Sequence, residues 1–360
     1  MKDENLPQNK NTMKRIDFKL QILKSGVLLM LIFLSYNMET KAQTYNRKKL
    51  KERTLTILKK YDLEGYKIIT DYQNAPSKYT INGASIDFGF GGNGTGFLMY
   101  IRGSKEEDII ENINTVVHES NHGYTGRMPY SLLAKKPPSN YSFGKSYYAY
   151  FINLEEQILV EVTPTFPSKK LVSEIPQKMR TFRFETYISK APKIQSTQQS
   201  GIYGLLGEMN SYYLGTQTSF KLYDYFLKEK KAKGNNWLSY MQDVDATLYA
   251  CWEFKYYILK YLLYAKKQEP KVYEGIMANQ NFKMAFLKIE KNAVNLAQNY
   301  FSKRKELIDN LNKKGFKAKI GKEYTFINGS GTGNFMDIYN LLQSELSKKE
   351  YGNMMAILRE

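Results

Sequence analysis

The stretch that most constrains this chain is Ser104–Gly126, SKEEDIIENINTVVHESNHGYTG. Ile109, Ile110, Ile113, Val116 and Val117 recur at three- and four-residue steps, the period of a helix with one buried face. Ser104 is suited to cap its start with Glu107 reaching back to complete a capping box, and Glu106, Glu107 and Asp108 favour the positive end of the helix dipole. Gly123 reads as the helix end, where a left-handed residue turns the chain away. His118 and His122, four apart, stand on one side of such a helix, the spacing from which two imidazoles reach one zinc ion. Glu119 lies where it can deprotonate a water at that ion. These are the only two histidines among 360 residues, so chance pairing at this spacing is rare; the competing reading is a helix that uses both for packing.

Around this helix the chain reads as follows. Tyr45–Tyr61 is a basic amphipathic helix with Leu50, Leu55, Ile57 and Leu58 on its apolar side, and Lys67–Tyr72 a short strand. Ser85–Phe90 and Phe97–Arg102 flank the glycine run Gly91–Gly96, a hairpin leading into the histidine helix; lacking a following lysine, the run is a turn and not a phosphate loop. Met128–Ser142 is a loop by its prolines and serines. Tyr147–Ile152 and Gln157–Thr163 are strands, and Lys178–Ser189 reads either way. Gly201–Leu227, Trp237–Lys266, Phe282–Leu311 and Met336–Leu346 are helices, separated by breaks at Lys233–Gly234, Pro270 and Gly315. The composition shifts near residue 195, so an α+β fold is expected, with a mixed α/β lobe over 43–195 and a helical lobe over 196–360.

Written as His118-Glu119-Ser120-Asn121-His122, the motif resembles the zincins, the HExxH zinc metallopeptidases. The resemblance covers the helix and, in outline only, the remainder. It implies a zincin-like fold with a catalytic zinc, a peptide or protein substrate, an active-site cleft between two lobes, and a strand beside the helix that pairs with extended substrate. A hydrolytic zinc has three protein ligands and a water, and no histidine is left for the third. Thr125 and Met128 exclude the HExxHxxGxxH branch, and the gluzincins, which take a glutamate from a later helix, are the branch this chain most resembles. Glu208, in SGIYGLLGEMNSYYLG, is the expected third ligand. It sits at the edge of a buried stripe of Ile202, Leu205, Leu206 and Met209, where an unpaired charge is costly, and Gly204 and Gly207 leave room beside it. Glu155, Glu156, Glu161 and Glu185 are the other candidates. Tyr212 stands one turn beyond Glu208, where thermolysin-like gluzincins carry an aspartate that orients a histidine. With histidine unavailable as an oxyanion donor, Tyr212 is the expected catalytic partner of Glu119, with Tyr213, Tyr124 and Arg127 as alternatives.

Residues 1–42 read as a signal peptide. Lys14, Arg15, Lys19 and Lys24 precede the apolar run Gly26–Leu34, and Thr40-Lys41-Ala42 ends on a small residue before Gln43; Met13 is an alternative start. The run to Tyr36 is about half of a membrane-crossing helix, so a secreted or periplasmic protein without stable membrane insertion is expected, a retained anchor being the alternative. The net charge is +18, but the lysines lie among acids along helices, as in KEKKAKG and SKRKE, which describes solvated faces and not a nucleic-acid surface. Cys251 is the single cysteine, so no internal disulfide forms, and its setting TLYACWEF makes it a core residue. The expected function is an exported zinc-dependent peptidase. A noncatalytic cell-surface or periplasmic binding protein, with a structural or vestigial metal site and a basic tyrosine-rich face for polysaccharide or protein, is the alternative; a zinc site that cuts another bond is a third reading.

Overall fold

A computed structural model describes residues 45–89, 96–139, 141–142 and 144–360; the expected signal peptide and nearly all of the glycine run Gly91–Gly96 lie outside them. Two helices come first, α1 (Arg47–Tyr61) and α2 (Leu63–Gln73), joined at Asp62. The second replaces the strand expected at Lys67–Tyr72: Gly65, Ile68 and Ile69 are its buried residues, a helical spacing that outweighs the strand preference of an Ile-Ile-Thr run. A hairpin follows, β1 (Lys78–Ile81) with β2 (Ala84–Asp87). It turns at Asn82-Gly83, both at positive φ, the geometry of a two-residue turn. The hairpin expected across the glycine run does not form, because Gly96–Tyr100 is a 3-10 turn that buries Phe97 and Leu98.

The histidine helix, α3, runs from Glu106 to Lys135, well past the expected end and into the first half of the expected loop Met128–Ser142, with Pro129 inside it. Gly123 is interior to it. A Cβ there would come within 2.4 Å of the Tyr72 ring, so the glycine serves the close approach of α2 and not a helix end. At the start, Asp108 takes the part expected of Glu107, its carboxylate accepting from the N–H groups of Ser104 and Lys105 at 2.7 Å each. Glu106 is drawn aside by Arg53, 2.6 Å away.

Beside α3 lies a two-stranded sheet, β3 (Tyr147–Phe151) and β4 (Gln157–Glu161), close to its expected bounds. Residues 168–189 form short helical turns. The helical part then begins with α4 (Ile202–Lys221) and α5 (Tyr223–Lys228), followed by α6 (Asn236–Leu248), α7 (Ala250–Gln268), α8 (Pro270–Ala278) and α9 (Gln280–Lys313). A small sheet, β5 (Ala318–Ile320), β6 (Tyr324–Ile327) and β7 (Ser330–Gly333), and two helices, α10 (Met336–Leu346) and α11 (Lys349–Arg359), complete the chain. That last sheet, α8 and α11 have no counterpart in the sequence reading. The result is α+β: small antiparallel sheets with a helical carboxy-terminal part.

Residues Thr44–Glu360 form one compact unit, and the boundary expected at 195/196 falls inside it. Its axis is α4, which packs against both α3 and α7 and is buried on nearly every side, as a central helix must be. Cys251 is buried on α7. Among the described residues no helix is long and apolar enough to cross a membrane.

Candidate metal centre

The crossing of α3 and α4 assembles the site. The i, i+4 step sets His118 and His122 on one flank of α3, with their Nε2 atoms 3.1 Å apart. Glu208 meets them from α4: its Oε2 is 3.3 Å from His122 Nε2 and 3.7 Å from His118 Nε2. Ligand atoms held about 2.0–2.2 Å from a tetrahedral zinc stand about 3.3 Å from one another, so the three contacts have the spacing of one face of such a shell. Among the described residues, His118, His122 and Glu208 are the group of this kind able to hold a metal ion.

The donor set fits a cation on a second count. Glu208 is only 4% exposed, yet its Oε2 has no hydrogen-bond partner among the described residues. A buried carboxylate oxygen left in that state is costly unless positive charge reaches it. The electrostatics of the three neighbours follow from burial and from one another. Burial, then the nearby His122 and Arg183, hold His118 well below the usual imidazole range and keep it neutral. Burial also works against a proton on His122, but the carboxylates of Glu208 and Glu119 outweigh it, and its pKa lies above the usual value. Glu119 is held above the usual carboxylate range by burial, with Glu208 adding to the effect and His122 opposing it.

Glu119 stands at the mouth, its Oε1 4.0 Å from His118 Nε2. A cleft of about 390 Å³ opens there, lined also by Thr125, Gly126, Tyr148, Tyr187, Gln195 and Gly207. The two glycines beside Glu208 differ in purpose. A Cβ on Gly204 would lie 2.2 Å from the Ser196 carbonyl oxygen, whereas one on Gly207 would meet nothing within 4 Å. Gly204 admits a neighbouring backbone and Gly207 leaves the cleft open. A larger cavity of about 480 Å³ beside Trp237 and Lys303 is remote from this chemistry, since no residue of the cluster lines it.

The tyrosines sort by placement. Tyr212 lies behind the cluster: its ring meets that of His118 edge-on at 4.4 Å, and the Arg183 guanidinium lies 4.3 Å from its centroid. Its hydroxyl is shared with that of Tyr187, 3.0 Å away, and it is Tyr187 that lines the cleft. The alternatives are engaged elsewhere: Tyr124 donates to Gln157 Oε1 at 2.6 Å, Tyr213 accepts from Gln217, and Arg127 stacks on Phe88 and donates to the Pro76 carbonyl. Among the other glutamates, Glu156, Glu161 and Glu185 are paired with Lys288, Lys145 and Lys190, and Glu155 is exposed. The sequence reading missed Tyr148 and Tyr187, which carry no motif and reach the cleft only through the fold. It also missed Asn121 and Ser211, although one lies inside HExxH and the other three residues after Glu208. No protein-family model matches the chain, and no curated protein or solved structure is significantly similar to it.

Proposed function

We propose that the protein is an exported zinc-dependent peptidase of zincin-like, specifically gluzincin-like, architecture. The observation that carries this reading is the convergence of Glu208 on the paired imidazoles, with Glu119 on the open side of the same cluster. The ligands would be His118 Nε2, His122 Nε2 and Glu208 Oε2. When bound there, zinc supplies Lewis acidity toward a carbonyl oxygen and lowers the pKa of water toward about 7.

The chain's own groups account for the rest. Glu119, its carboxyl pKa raised by burial, is the better proton acceptor for it: a carboxylate oxygen takes a proton from the attacking water and returns it to the leaving amine. Tyr148 and Tyr187 line the cleft, their hydroxyls shared with Ser200 and Tyr212; burial raises the pKa of both, so each keeps its proton and can turn it toward a developing oxyanion. Tyr212 contributes through Tyr187 and through the wall it forms behind His118. Export rests on the signal-like residues 1–42.

The test is hydrolysis of a mixed peptide pool by the purified protein. Cleavage is expected, abolished by a chelator, restored by zinc, and lowered about 10²–10⁴-fold by Glu119→Gln with zinc content unchanged. Cleavage that survives the chelator, or a protein that takes up zinc and cuts ester substrates but no peptide, overturns the peptidase reading.

A further inference from the structure

Helices α3 and α4 carry glycines at 123 and 126, and at 204, 207 and 215, although an interior glycine weakens a helix relative to alanine. Packing explains three of them. A Cβ would lie 2.4 Å from the Tyr72 ring at Gly123, 2.2 Å from the Ser196 carbonyl oxygen at Gly204 and 2.6 Å from Asn114 Oδ1 at Gly215. The other two, Gly126 and Gly207, would meet nothing within 4 Å, and both line the cleft. Each adjoins a member of the cluster. Gly126 is one turn past His122 on the same flank of α3, and Gly207 directly precedes Glu208 on α4.

The α3 wall carries a second, independent signal. Thr125, three residues past His122, is 5% exposed, and its hydroxyl has no hydrogen-bond partner among the described residues, yet it lines the same cleft. A buried hydroxyl left unpaired is costly, and a molecule in the cleft is the partner that this position admits. The ring beside it is backed by protein: Ser211 Oγ stands 3.5 Å from His122 Nδ1 and accepts from the Asn121 amide at 2.9 Å.

We propose that Gly126, Gly207 and Thr125 form a subsite beside the metal ligands that receives a large uncharged side chain of the substrate, aromatic or branched aliphatic, while the Thr125 hydroxyl bonds to the substrate backbone. The inference rests on the peptidase reading above and names the residue class that the same cleft takes. Two walls without side chains leave room for bulk next to the ligands, and Tyr148 adds an aromatic surface to the lining. The carboxylates of the lining, Glu119 and Glu208, stand with the imidazoles at the cluster. A charged side chain entering past them would therefore be desolvated among glycine, threonine and tyrosine.

The experiment uses zinc-loaded protein and peptides that carry Ala, Val, Leu, Phe, Asp or Lys in turn at each position. Cleavage by the parent gives kcat/KM, and fluorescence anisotropy of labelled peptides on Glu119→Gln gives binding without turnover. Leu and Phe at one position flanking the cleaved bond are expected to exceed Ala by at least about tenfold in kcat/KM, with Asp and Lys below Ala. Gly126→Leu, and to a smaller extent Gly207→Ala, should lower the Phe-to-Ala ratio by about threefold or more in both measurements while zinc content stays the same. Thr125→Val, combined with Glu119→Gln, keeps the shape and removes the hydroxyl. It is expected to weaken binding of large and small peptides alike by about 2–10-fold, without lowering the melting temperature.

The residue scan of the parent needs no substitution, so refutation does not depend on a variant that folds. Size-selective binding without any cleavage refutes the peptidase reading and leaves the subsite standing. Cleavage without a size preference, or with one that Gly126→Leu and Gly207→Ala leave intact, overturns the subsite and spares the peptidase. A Thr125→Val protein that melts lower but binds peptide unchanged removes Thr125 from the subsite. Peptides neither bound nor cut overturn both readings.

Discussion

Glu208 on α4 and Glu253 on α7 are both buried, 4% and 0% exposed, on helices packed against each other. Glu253 is saturated. Arg183 Nη1 reaches it at 2.6 Å, the Arg183 backbone N–H at 3.3 Å, and the Thr181 hydroxyl donates to it as well. Glu208 leaves Oε2 without a hydrogen bond, facing two imidazole nitrogens at the floor of a cleft. A carboxylate out of water requires compensating positive charge. For Glu253 the chain provides a guanidinium, which makes the residue structural. For Glu208 the fold supplies two neutral-capable rings and an approach from solvent, which is how a binding site differs from a brace.

The largest effect expected from breaking this contrast lies at Glu253. Glu253→Gln strands Arg183 and should cost about 3–5 kcal/mol of stability, read by urea unfolding of chelator-treated protein. Glu208→Gln in the same metal-free assay, run above the raised His122 pKa, should be neutral or stabilising, while zinc uptake falls sharply. Equal destabilisation by the two changes would erase the distinction.

Acidity sharpens the comparison next. A proton on His122 and a metal at Nε2 exclude each other, so zinc affinity should weaken by up to about tenfold per pH unit as pH falls through the raised His122 pKa. The sign for the metal-free protein is opposite. A raised histidine pKa stabilises the fold fully below the ordinary value and is lost as pH rises through the folded one. Melting temperatures of the two forms should therefore diverge between about pH 5 and 8, the gap widening upward. A constant gap would argue that the rings are not ligands.

The smallest effect separates the two glycines beside Glu208. Gly204→Ala forces a methyl group into the Ser196 backbone and should cost about 1–3 kcal/mol. Gly207→Ala should be neutral or gain up to about 1 kcal/mol of helix propensity while narrowing the cleft. Thermal melts of both variants distinguish them.

The site was legible in the sequence wherever one helix carries the geometry. His118, Glu119 and His122 declare themselves by spacing, and Glu208 by being an acid at the edge of an apolar stripe between small residues. The misread helix end and the misread strand share one cause, a local stop or strand signal overridden by packing. Gly123 and Pro129 mark a helix end by local rules, yet α3 continues because Tyr72 lies against the first and the surrounding core buries the second. Ile68 and Ile69 favour a strand by type, but both are buried on the inner face of a helix.

What the sequence alone determined was the pair of imidazoles and the glutamate between them, because a four-residue step on a helix is set by backbone geometry before any tertiary contact exists. The tertiary structure decided which acid joins them and which tyrosines reach the cleft. Those choices depend on groups such as Asn121 and Ser211, 90 positions apart, meeting across two helices. No local pattern encodes such a meeting; it follows from how the buried faces of α3 and α4 pack.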